Sequence, residues 1–493
     1  MRVRRSTLCL GITASLVSGA CQSDKGATGP TDPSPSFARK TASTGSGPVE
    51  ADHYLVEFKG SVSDLQAAVE KAGGSLMRAH PEIGVATVGD LDDAEASALR
   101  RGRGVTRVTQ DLIVQWAPTH DELDFRVEAA ERQPTAEGHF FDPTLAFFFP
   151  CQWNMMQANC PAAWAADEGG DPGVKVAVLD TGVDPDHLDL LGRVDAAHST
   201  SFVSANHAFC LANGADDVAS FLDYNFHGSF VSGIITSNGI GVAGVAPAAR
   251  VVGVKVLNCL GSGTFADIIA GILYAASLHD VDVINMSLGA YFPKSAVGGG
   301  PLNGAMAKAI NWASSRGVLV VSSAGNDGAG PGVGADLDHD GNFVHLPSQA
   351  GAGIGVWAGD IDGNVAGYSN FGLTGARVGA GGGDFTPASS HIPLAGCVLA
   401  PDLLHGFITS VCSTHSIFFG CGLLSYLIGG SGTSFSAPLV SGVAALVDGK
   451  AGGSLNAGQI KTILKKTADD LGKVGADGIF SHGRVNAGNA VMY

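Results

Sequence analysis

The chain has few charged residues, and basic ones are the scarcer kind. Charged side chains make up 15% of the 493 residues and hydrophobic ones 45%, which excludes a disordered chain and predicts a large buried core. The 29 Lys and Arg against 46 Asp and Glu give a formal net charge of −17. Nucleic acids and anionic membrane surfaces are recognised through basic patches, so neither is expected as a partner. The length predicts two or three folded parts.

Long apolar runs and short repeats are also missing. After the first 20 residues, no segment offers the roughly 18 consecutive apolar residues that span a bilayer, so we expect no transmembrane helix. The 70 glycines follow no three-residue period, which excludes collagen and indicates many tight turns.

The N-terminus, residues 1–21, has the pattern of an export signal. Three arginines among the first five residues precede an uncharged stretch, residues 6–20, that is too short to cross a bilayer. The stretch ends in VSGAC, which resembles the lipobox of bacterial lipoproteins, where the cysteine after the cut carries lipid. Two hypotheses therefore stand: lipidation of Cys21, and ordinary signal cleavage near Ala20.

Nine cysteines occur, of which Cys9 belongs to the signal and Cys21 is the candidate for lipidation. Export favours disulfides. Seven others remain, an odd number, so at least one stays unpaired, and pairing of six allows 15 connectivities. Their scattered spacing matches no zinc site. These seven are Cys151, Cys160, Cys210, Cys259, Cys397, Cys412 and Cys421.

Residues 22–51 are rich in Gly, Ser, Thr and Pro and are predicted to form a flexible linker. A compact unit follows at residues 52–117. YLVEF alternates like a strand, SDLQAAVEKAG has a helical period closed by glycine, and a second helix is predicted over 92–102. The whole unit has the order β-α-β-β-α-β, which predicts a small ferredoxin-like α+β domain.

Residues 118–150 have no clear period, whereas residues 151–493 alternate apolar strands with helices. VKVAVLD and ARVVGVKVL are continuous apolar strands, as expected in a parallel sheet covered on both faces. The alternation predicts an α/β domain with a doubly wound, mostly parallel sheet. Functional groups in such sheets gather beyond the carboxyl ends of the strands, where Asp180, Ser287 and Asn326 fall.

Three short stretches carry the residues of a nucleophilic site. VAVLDTGVDPDH puts Asp180 at a strand end, HGSFVSGII puts His227 at the start of a helix, and GTSFSAP puts Ser434 between a glycine loop and a helix. Each alone is ordinary, since a serine before a helix usually caps it. Together they supply a hydroxyl, an imidazole base to activate it, and a carboxylate to fix the tautomer of that base.

The order Asp, His, Ser and the three stretches resemble the signatures of the subtilase family of serine proteases. The resemblance covers about residues 150–493. It implies a subtilisin-like fold, protein or peptide substrates and no organic cofactor. It further implies that Ser434 is the nucleophile, His227 its base and Asp180 the partner of that base. Asn326, in SSAGNDG, matches the asparagine with which the family holds the oxyanion.

The resemblance also implies two edges that pair with the substrate backbone. One resembles the strand beside the primary specificity pocket, and the other resembles the opposite edge strand. Pairing of this kind recognises the main chain, so broad endopeptidase specificity is expected. An insertion around 198–224 and the long segment 380–430 leave the subsite preferences open. The edges are Ser287, Leu288 and Gly289, and Gly261, Ser262 and Gly263.

Bound Ca²⁺ is a further implication of the resemblance. Asp189, in HLDL, matches a calcium ligand of the family, and SNGIGVAG (237–244) matches its partner loop. Separately, DLDHDG offers Asp336, Asp338 and Asp340 before a glycine, as in loops of oxygen ligands. No glutamate stands at the twelfth position, so this is no EF-hand. The alternative is a solvated acidic loop.

A β-α-β-β-α-β unit ahead of such a domain resembles the propeptide of the family, an intramolecular chaperone and inhibitor. Residues 52–117 are therefore expected to inhibit the protease until the chain cuts itself between about 117 and 150. A lipid on Cys21 would lie on the propeptide side of the cut, so maturation would release the protease. We expect an exported monomer, secreted or held in the cell envelope.

Two alternatives use the same scaffold. A non-catalytic binding or adhesion protein would normally have lost a triad or oxyanion residue, and all four are present in this sequence. An esterase or a peptide ligase would keep them, and parallel assays on ester and peptide substrates separate it from a protease.

Overall fold

The computed structural model describes residues 49–118, 125–130, 142–166, 169–294, 299–328, 334–339, 341–384, 396–397 and 406–493. All of these belong to one compact unit, residues 39–493. The export signal, Cys21 and the predicted linker up to residue 48 lie outside the described residues. Within the described ranges, no helix is both long and apolar enough to cross a membrane.

The N-terminal part is a four-stranded antiparallel sheet packed against two helices. Its elements are β1 (Val49–Phe58), α1 (Val62–Ala72), β2 (Ser75–His80), β3 (Val85–Gly89), α2 (Asp93–Leu99) and β4 (Val105–Gln115). The sheet order β2-β3-β1-β4 is that of a ferredoxin-like unit. Helix α2 ends at Leu99, short of the predicted 92–102, so Arg100 and Arg101 follow the helix rather than fill its last turn.

The remaining elements form the larger α/β part. Up to residue 286 they are β5 (Arg126–Ala129), α3 (Trp153–Gln157), α4 (Cys160–Ala165), β6 (Lys175–Asp180), β7 (Thr200–Ser201), α5 (Ala208–Ala212), α6 (His227–Ile235), β8 (Arg250–Lys255), β9 (Ser262–Thr264), α7 (Phe265–Ser277) and β10 (Val281–Met286). From residue 290 they are β11 (Ala290–Pro293), α8 (Gly299–Ser315), β12 (Leu319–Ser323), β13 (Phe343–Leu346), β14 (Ile354–Gly359), β15 (Val378–Gly381), β16 (Ile408–Val411), β17 (Ser425–Gly430), α9 (Thr433–Lys450), α10 (Ala457–Thr467) and α11 (Ala487–Met492). Two short 3₁₀ helices span Pro143–Leu145 and Phe149–Cys151.

A seven-stranded parallel sheet organises this part, in the order β15-β14-β12-β10-β6-β8-β7. One hydrophobic core includes residues of α6 and α9, and the other includes residues of α7 and α8. Strands β6, β10 and β12 carry apolar residues of both cores, as strands covered on both faces do. The predicted doubly wound α/β fold is therefore confirmed. Neighbouring strands β6, β10 and β12 end at one edge of the sheet.

Two small sheets complete the domain. Strands β11 and β13 pair with each other, and β17 pairs with β16 on one side and β5 on the other. Strand β5 lies in the segment 118–150, where the sequence predicts no regular element. Arg126–Ala129 has no apolar period of its own, and its strand conformation comes with the pairing to Ser425–Ile428.

Three disulfides give the cysteine pairing that the sequence leaves open. They join Cys151 to Cys397, Cys210 to Cys259, and Cys412 to Cys421. Cys160 is a buried thiol, and burial raises its pKa far above the usual range, so it is an unreactive core residue. The pair Cys210–Cys259 ties the insertion around 198–224 to the segment before β9.

Candidate active site

The centre of the site is a fully buried carboxylate–imidazole pair at the end of β6. His227 Nδ1 lies 2.9 and 3.0 Å from the two carboxylate oxygens of Asp180, and neither side chain is exposed. Because a carboxylate can only accept, Nδ1 carries the hydrogen and Nε2 is left as the acceptor. Nε2 is buried and has no hydrogen-bond partner among the described residues. The backbone N–H of Thr181 also donates to Asp180, at 2.7 Å.

Three side chains fix the start of α6 and therefore the position of His227. The first three N–H groups of the helix donate in turn to Asn225 Oδ1, Thr181 Oγ1 and Asp223 Oδ2. Thr181 Oγ1 itself donates to Asp223 Oδ1 at 2.8 Å. Burial raises the pKa of Asp223, although the charge of Lys255 opposes this. Sequence analysis missed these residues, although cap acceptors ahead of a helix, here D-x-N-x-H, are a readable signal.

Two glycines allow the close approach of β6 to α6. A Cβ on Gly228 would lie 2.0 Å from the carbonyl oxygen of Gly182. Gly182 itself has φ of 114°, a conformation that other residues rarely adopt. The glycines of DTG and HGS are therefore required by the contact that brings Asp180 against His227.

Ser434 is the second residue of α9, and its surroundings join it to the segment after β10. Its Oγ donates to the carbonyl oxygen of Ser287 at 3.2 Å, and Ser287 Oγ donates to the carbonyl oxygen of Ser434 at 2.7 Å. Asn285 Nδ2 donates to the same Ser287 hydroxyl at 3.0 Å. The backbone N–H of Ser434 is one of the first four of the helix, which have no intrahelical acceptor.

Asn326 turns its amide nitrogen towards the same place. Its Oδ1 accepts from the backbone N–H of Thr433 at 2.9 Å and from Thr433 Oγ1 at 2.7 Å. A backbone N–H can only donate, so this contact fixes the orientation of the amide. Nδ2 then faces the glycine loop, and a Cβ on Gly432 would lie 3.3 Å from it. Asn326 and Ser434 line the same cleft.

The cleft is occupied from one side by the chain that follows β4. Strand β4 pairs antiparallel with β9, with Val114 opposite Gly263 and Gln115 opposite Ser262. Trp116 then bonds to both predicted edges: its N–H donates to Gly261 O, and the N–H of Gly289 donates to Trp116 O, both at 3.0 Å. The cleft is lined by Gln115, Trp116, Ala117, Pro118, Gly289, Ser323, Gly325, Asn326, Asp327, His345, Ser431, Thr433 and Ser434.

The indole of Trp116 is buried in an aromatic pocket beside the cleft. Its ring centroid lies 5.0 Å from that of Phe265 and 5.7 Å from that of Phe292, and its Nε1 donates to Gly263 O at 3.0 Å. Leu288, the middle residue of the other predicted edge, is buried in the same core. Both edges therefore contact a peptide segment that runs towards Ser434.

His345 forms part of the cleft wall, and sequence analysis did not identify it. Burial lowers the pKa of His345 to about 3, so the imidazole is neutral. Its Nδ1 lies 2.8 Å from Ser348 Oγ, and its Nε2 lies 4.0 Å from a carboxylate oxygen of Asp327. A Cβ on Gly289 or on Gly325 would overlap this ring. The imidazole therefore limits the space beneath the substrate edge.

The environment of Asp189 does not fit a calcium ion. Its Oδ1 accepts from the N–H of Ile240, and its Oδ2 accepts from the N–H groups of Gly241 and Val242 and from the Tyr426 hydroxyl, at 2.7–3.1 Å. Calcium needs oxygen ligands around it, whereas this carboxylate is surrounded by four hydrogen-bond donors. The predicted loop 237–244 does meet Asp189, but through its N–H groups. Direct hydrogen bonds replace the expected metal.

The second predicted calcium site fits no better. Asp336 accepts from the N–H of Asp338 at 2.9 Å, and its other oxygen lies 2.7 Å from His339 Nδ1. Both oxygens of Asp338 accept backbone N–H groups, from Leu373 and Thr374. These hydrogen bonds lower the pKa of Asp338 against the opposing effect of burial. Asp340 lies outside the described residues.

A buried Asp–His pair, a serine at a helix N-terminus and an amide donor, all at one edge of a parallel α/β sheet, define a serine hydrolase. The Subtilase family matches residues 171–483. The chain belongs to this family, and it is a subtilisin-like serine endopeptidase.

Individual relatives agree with this assignment. The chain is 33% identical to the M-protease of Shouchella clausii (strain KSM-K16) over 73% of its own length and 75% of that protein. It is 28% identical to the thermophilic serine proteinase of Bacillus sp. (strain AK1) over 89% of its length and 87% of that protein. Its fold is similar to that of the epidermin leader peptide processing serine protease of Staphylococcus aureus, with a TM-score of 0.68 and 22% identity over 90% and 98% of the two chains.

The hydroxyl that contacts Asp189 gives a test of the metal-free arrangement. Tyr426→Phe removes one hydrogen bond to a buried carboxylate, which should lower the free energy of unfolding by about 1.5–3 kcal/mol. The loss should be equal with and without a calcium chelator in urea titrations of the Ser434→Ala background, where self-digestion is absent. A loss that depends on calcium would mean that Asp189 binds the ion.

Proposed function

We propose that the chain is an exported serine endopeptidase made as a self-inhibited, self-processing precursor. The buried contact between Asp180 and His227 carries the catalytic part of the proposal. Ser434 Oγ attacks the peptide carbonyl, and His227 Nε2 takes its proton and then donates it to the leaving amine. Asp180 keeps Nδ1 protonated and stabilises the imidazolium. Water then hydrolyses the acyl-enzyme by the same relay.

This relay needs one rearrangement at the nucleophile. Ser434 Oγ must exchange its bond to Ser287 O for one to His227 Nε2, which is a rotation between staggered positions about a single bond. The unpartnered, buried Nε2 favours that exchange, because an orphaned polar atom in the interior is costly. The oxyanion is held by Asn326 Nδ2 and by the N–H of Ser434 at the start of α9.

The precursor part of the proposal is supported by the path of the chain after β4. Gln115–Pro118 lies in the cleft beside Ser434 and bonds to both substrate edges. The N-terminal unit adds two further contacts to the protease. Asp111 accepts from the first two N–H groups of α7, at 3.2 and 2.9 Å, and Glu57 pairs with Lys308 at 2.6 Å. Residues 52–117 then act as the inhibitor of the domain 151–493.

The residues on either side of the maturation region narrow the range in which we expect the cut. Pro118 lies in the cleft with Ser434, and Phe125 packs against Phe435, the residue after the nucleophile, with ring centroids 6.5 Å apart. The chain therefore enters the cleft at Pro118 and is next described at Phe125, against the chain neighbour of the nucleophile. We place the self-cleavage between Pro118 and Phe125, within the predicted region 118–150.

Export rests on the N-terminal sequence and on the disulfides. Three disulfides among the described residues fit an oxidising compartment. A lipid on Cys21 and ordinary cleavage near Ala20 remain the two hypotheses for the signal. Under the first, cleavage beyond Pro118 separates the protease from the anchor, so processed enzyme that stays on membranes after a high-salt wash would contradict it.

Replacement of the nucleophile tests catalysis and processing together. Wild type should lose about its first 120 residues and digest casein, whereas Ser434→Ala should stay full length and inert. Ser436→Ala is the matched control, since its buried Oγ has no hydrogen-bond partner and lies one residue beyond Phe435. If wild type and Ser434→Ala are processed alike, another protease makes the cut. If both stay intact and inert, a non-catalytic scaffold becomes the better hypothesis.

Removal of the oxyanion donor gives a graded result. Asn326→Ala should lower kcat by about 100- to 1,000-fold with little change in KM, because the hydrogen bond strengthens only as negative charge develops. The magnitude is the one measured for subtilisin itself. The variant is assayed after maturation by added wild type and separation from it. A loss below about tenfold, with an unchanged melting temperature, would place the oxyanion elsewhere.

A buried histidine of the N-terminal unit makes the stability of that unit depend on pH. Burial alone would lower the pKa of His53, but the hydrogen bond and charge of Asp111, with a hydrogen bond to Asp52, raise it to about 9. The distance from His53 Nε2 to Asp111 Oδ2 is 2.9 Å. Asp267 also faces His53. Burial raises the pKa of Asp267 to about 6, so its carboxyl group is already ionised when His53 loses its proton.

A raised pKa means that the folded N-terminal unit is stabilised by protonated His53. That contribution is complete below the free histidine pKa of about 6.5 and is lost as pH rises through about 9. In the inactive Ser434→Ala precursor, the free energy of unfolding should therefore be lower at pH 10 than at pH 7. His53→Gln in the same background should remove most of this pH step. Equal pH dependence of the urea midpoints of the two proteins would contradict the assignment.

A further inference from the structure

Phe125 packs between the aromatic neighbours of the two principal catalytic residues. Phe226 directly precedes the catalytic histidine, and Phe435 directly follows the nucleophile. The ring centroid of Phe125 lies 5.2 Å from that of Phe226 and 6.5 Å from that of Phe435. A residue from the segment ahead of the catalytic domain thus contacts the chain neighbours of both catalytic residues.

Two further rings complete an aromatic wall made of Phe125, Phe226, Phe230, Phe419 and Phe435. The centroid of Phe125 is 5.5 Å from Phe230 and 6.1 Å from Phe419. Phe226, Phe230 and Phe435 are fully buried, whereas Phe125 and Phe419 are partly exposed. The surface that this wall offers to solvent therefore comes from Phe125 and Phe419.

The strand that follows Phe125 in the chain, β5, pairs with a strand of the protease part. Arg126 lies opposite Ile428 and Ala129 opposite Ser425 in the pairing of β5 with β17. The N–H of the buried Ala130 then donates to Leu424 O at 3.1 Å. A cut upstream of Phe125 leaves this strand covalently joined to the catalytic domain, so its docking stays intramolecular and keeps a high effective concentration.

The direction of the chain identifies the side of the cleft. Gln115–Pro118 occupies the edges that hold the substrate before the scissile bond, and the chain runs from there towards the nucleophile. The next described residue is Phe125, which packs against the residue that follows Ser434. A substrate that lies in the same direction sends its leaving part past this aromatic wall.

We propose, as an extension of the protease function proposed above, that the mature enzyme keeps Phe125–Ala130 as its N-terminal strand and that Phe125 determines specificity on the leaving-group side. The partly exposed ring selects peptides with a bulky apolar residue directly after the scissile bond. Burial of such a side chain against the wall removes apolar surface from water, which a polar residue at that position does not do.

The test uses two quenched peptides that differ only in Leu or Ser directly after the cut. Mature wild type should prefer the Leu peptide about tenfold in kcat/KM, the lower end of what an apolar pocket supplies. Phe125→Ala should reduce this preference to about twofold, and Phe125→Leu should retain an intermediate value. Val127→Ala, an exposed position on the same strand, should keep the wild-type preference.

A methyl ester of the same acyl part, which releases only methanol, separates specificity from a structural role. Its hydrolysis should be equal in wild type and the Phe125 variants, and mass spectrometry should find a mature N-terminus at or before Phe125. A parallel fall on the ester and the peptides, an unchanged Leu preference in Phe125→Ala, or a mature chain that begins after Phe125 would overturn the inference. If Phe125→Ala does not mature, Phe125→Leu decides by the same measure. Wild type inactive on every substrate would instead refute the protease function.

Discussion

The site depends on keeping a carboxylate and an imidazole in contact at zero exposure. Burial of Asp180 and His227 is costly unless their polar atoms are hydrogen-bonded, so the surrounding structure must supply partners in fixed places. A second buried layer does this: Asp223 organises the helix start, and behind it Lys255 pairs with Asp217 at 2.8 Å with neither side chain exposed. Movement of the β6 end would break this layer as well as the catalytic pair, and that coupling makes the geometry rigid.

Sequence patterns predicted the parts of this arrangement that are encoded locally. Apolar strands and helical periods are short-range signals, so the sheet and the strand-end positions of Asp180 and Asn326 followed from them. The family signatures then supplied candidate roles for His227 and Ser434. The features that the sequence did not predict depend on long-range contacts. The family resemblance predicts a metal ligand at Asp189, and no local pattern shows the hydrogen bond that it accepts from the Tyr426 hydroxyl, 237 positions away. Strand β5 exists through its pairing with β17, which no local pattern reveals.

The N-terminal unit uses the substrate's own contacts. Strand β4 pairs with β9 through main-chain hydrogen bonds, and Trp116 bonds to both edges as an extended peptide would. A substrate that pairs with these edges, as we propose, must displace the same bonds, so under this proposal inhibition and recognition compete for one set of donors and acceptors. The aromatic pocket of Trp116 and the carboxylate of Asp111 at the start of α7 add affinity that an ordinary peptide lacks. In the proposed precursor, contacts outside the reacting centre therefore hold the cleft closed.

The contacts are divided between the segment in the cleft and strand β5. This explains how cleavage between the two segments would end inhibition in the proposed precursor. Before the cut, the tail in the cleft and strand β5 belong to one chain, so the two docked segments hold each other in place as linked binding sites do. After a cut between them, β5 remains joined to the catalytic domain, whereas the N-terminal unit keeps only its own contacts. Each such contact, including the hydrogen bonds from the start of α7 to Asp111, is replaceable by water once the unit leaves. Under the proposed maturation, the cut that gives the protease its new N-terminus thereby turns an intramolecular inhibitor into a dissociable one.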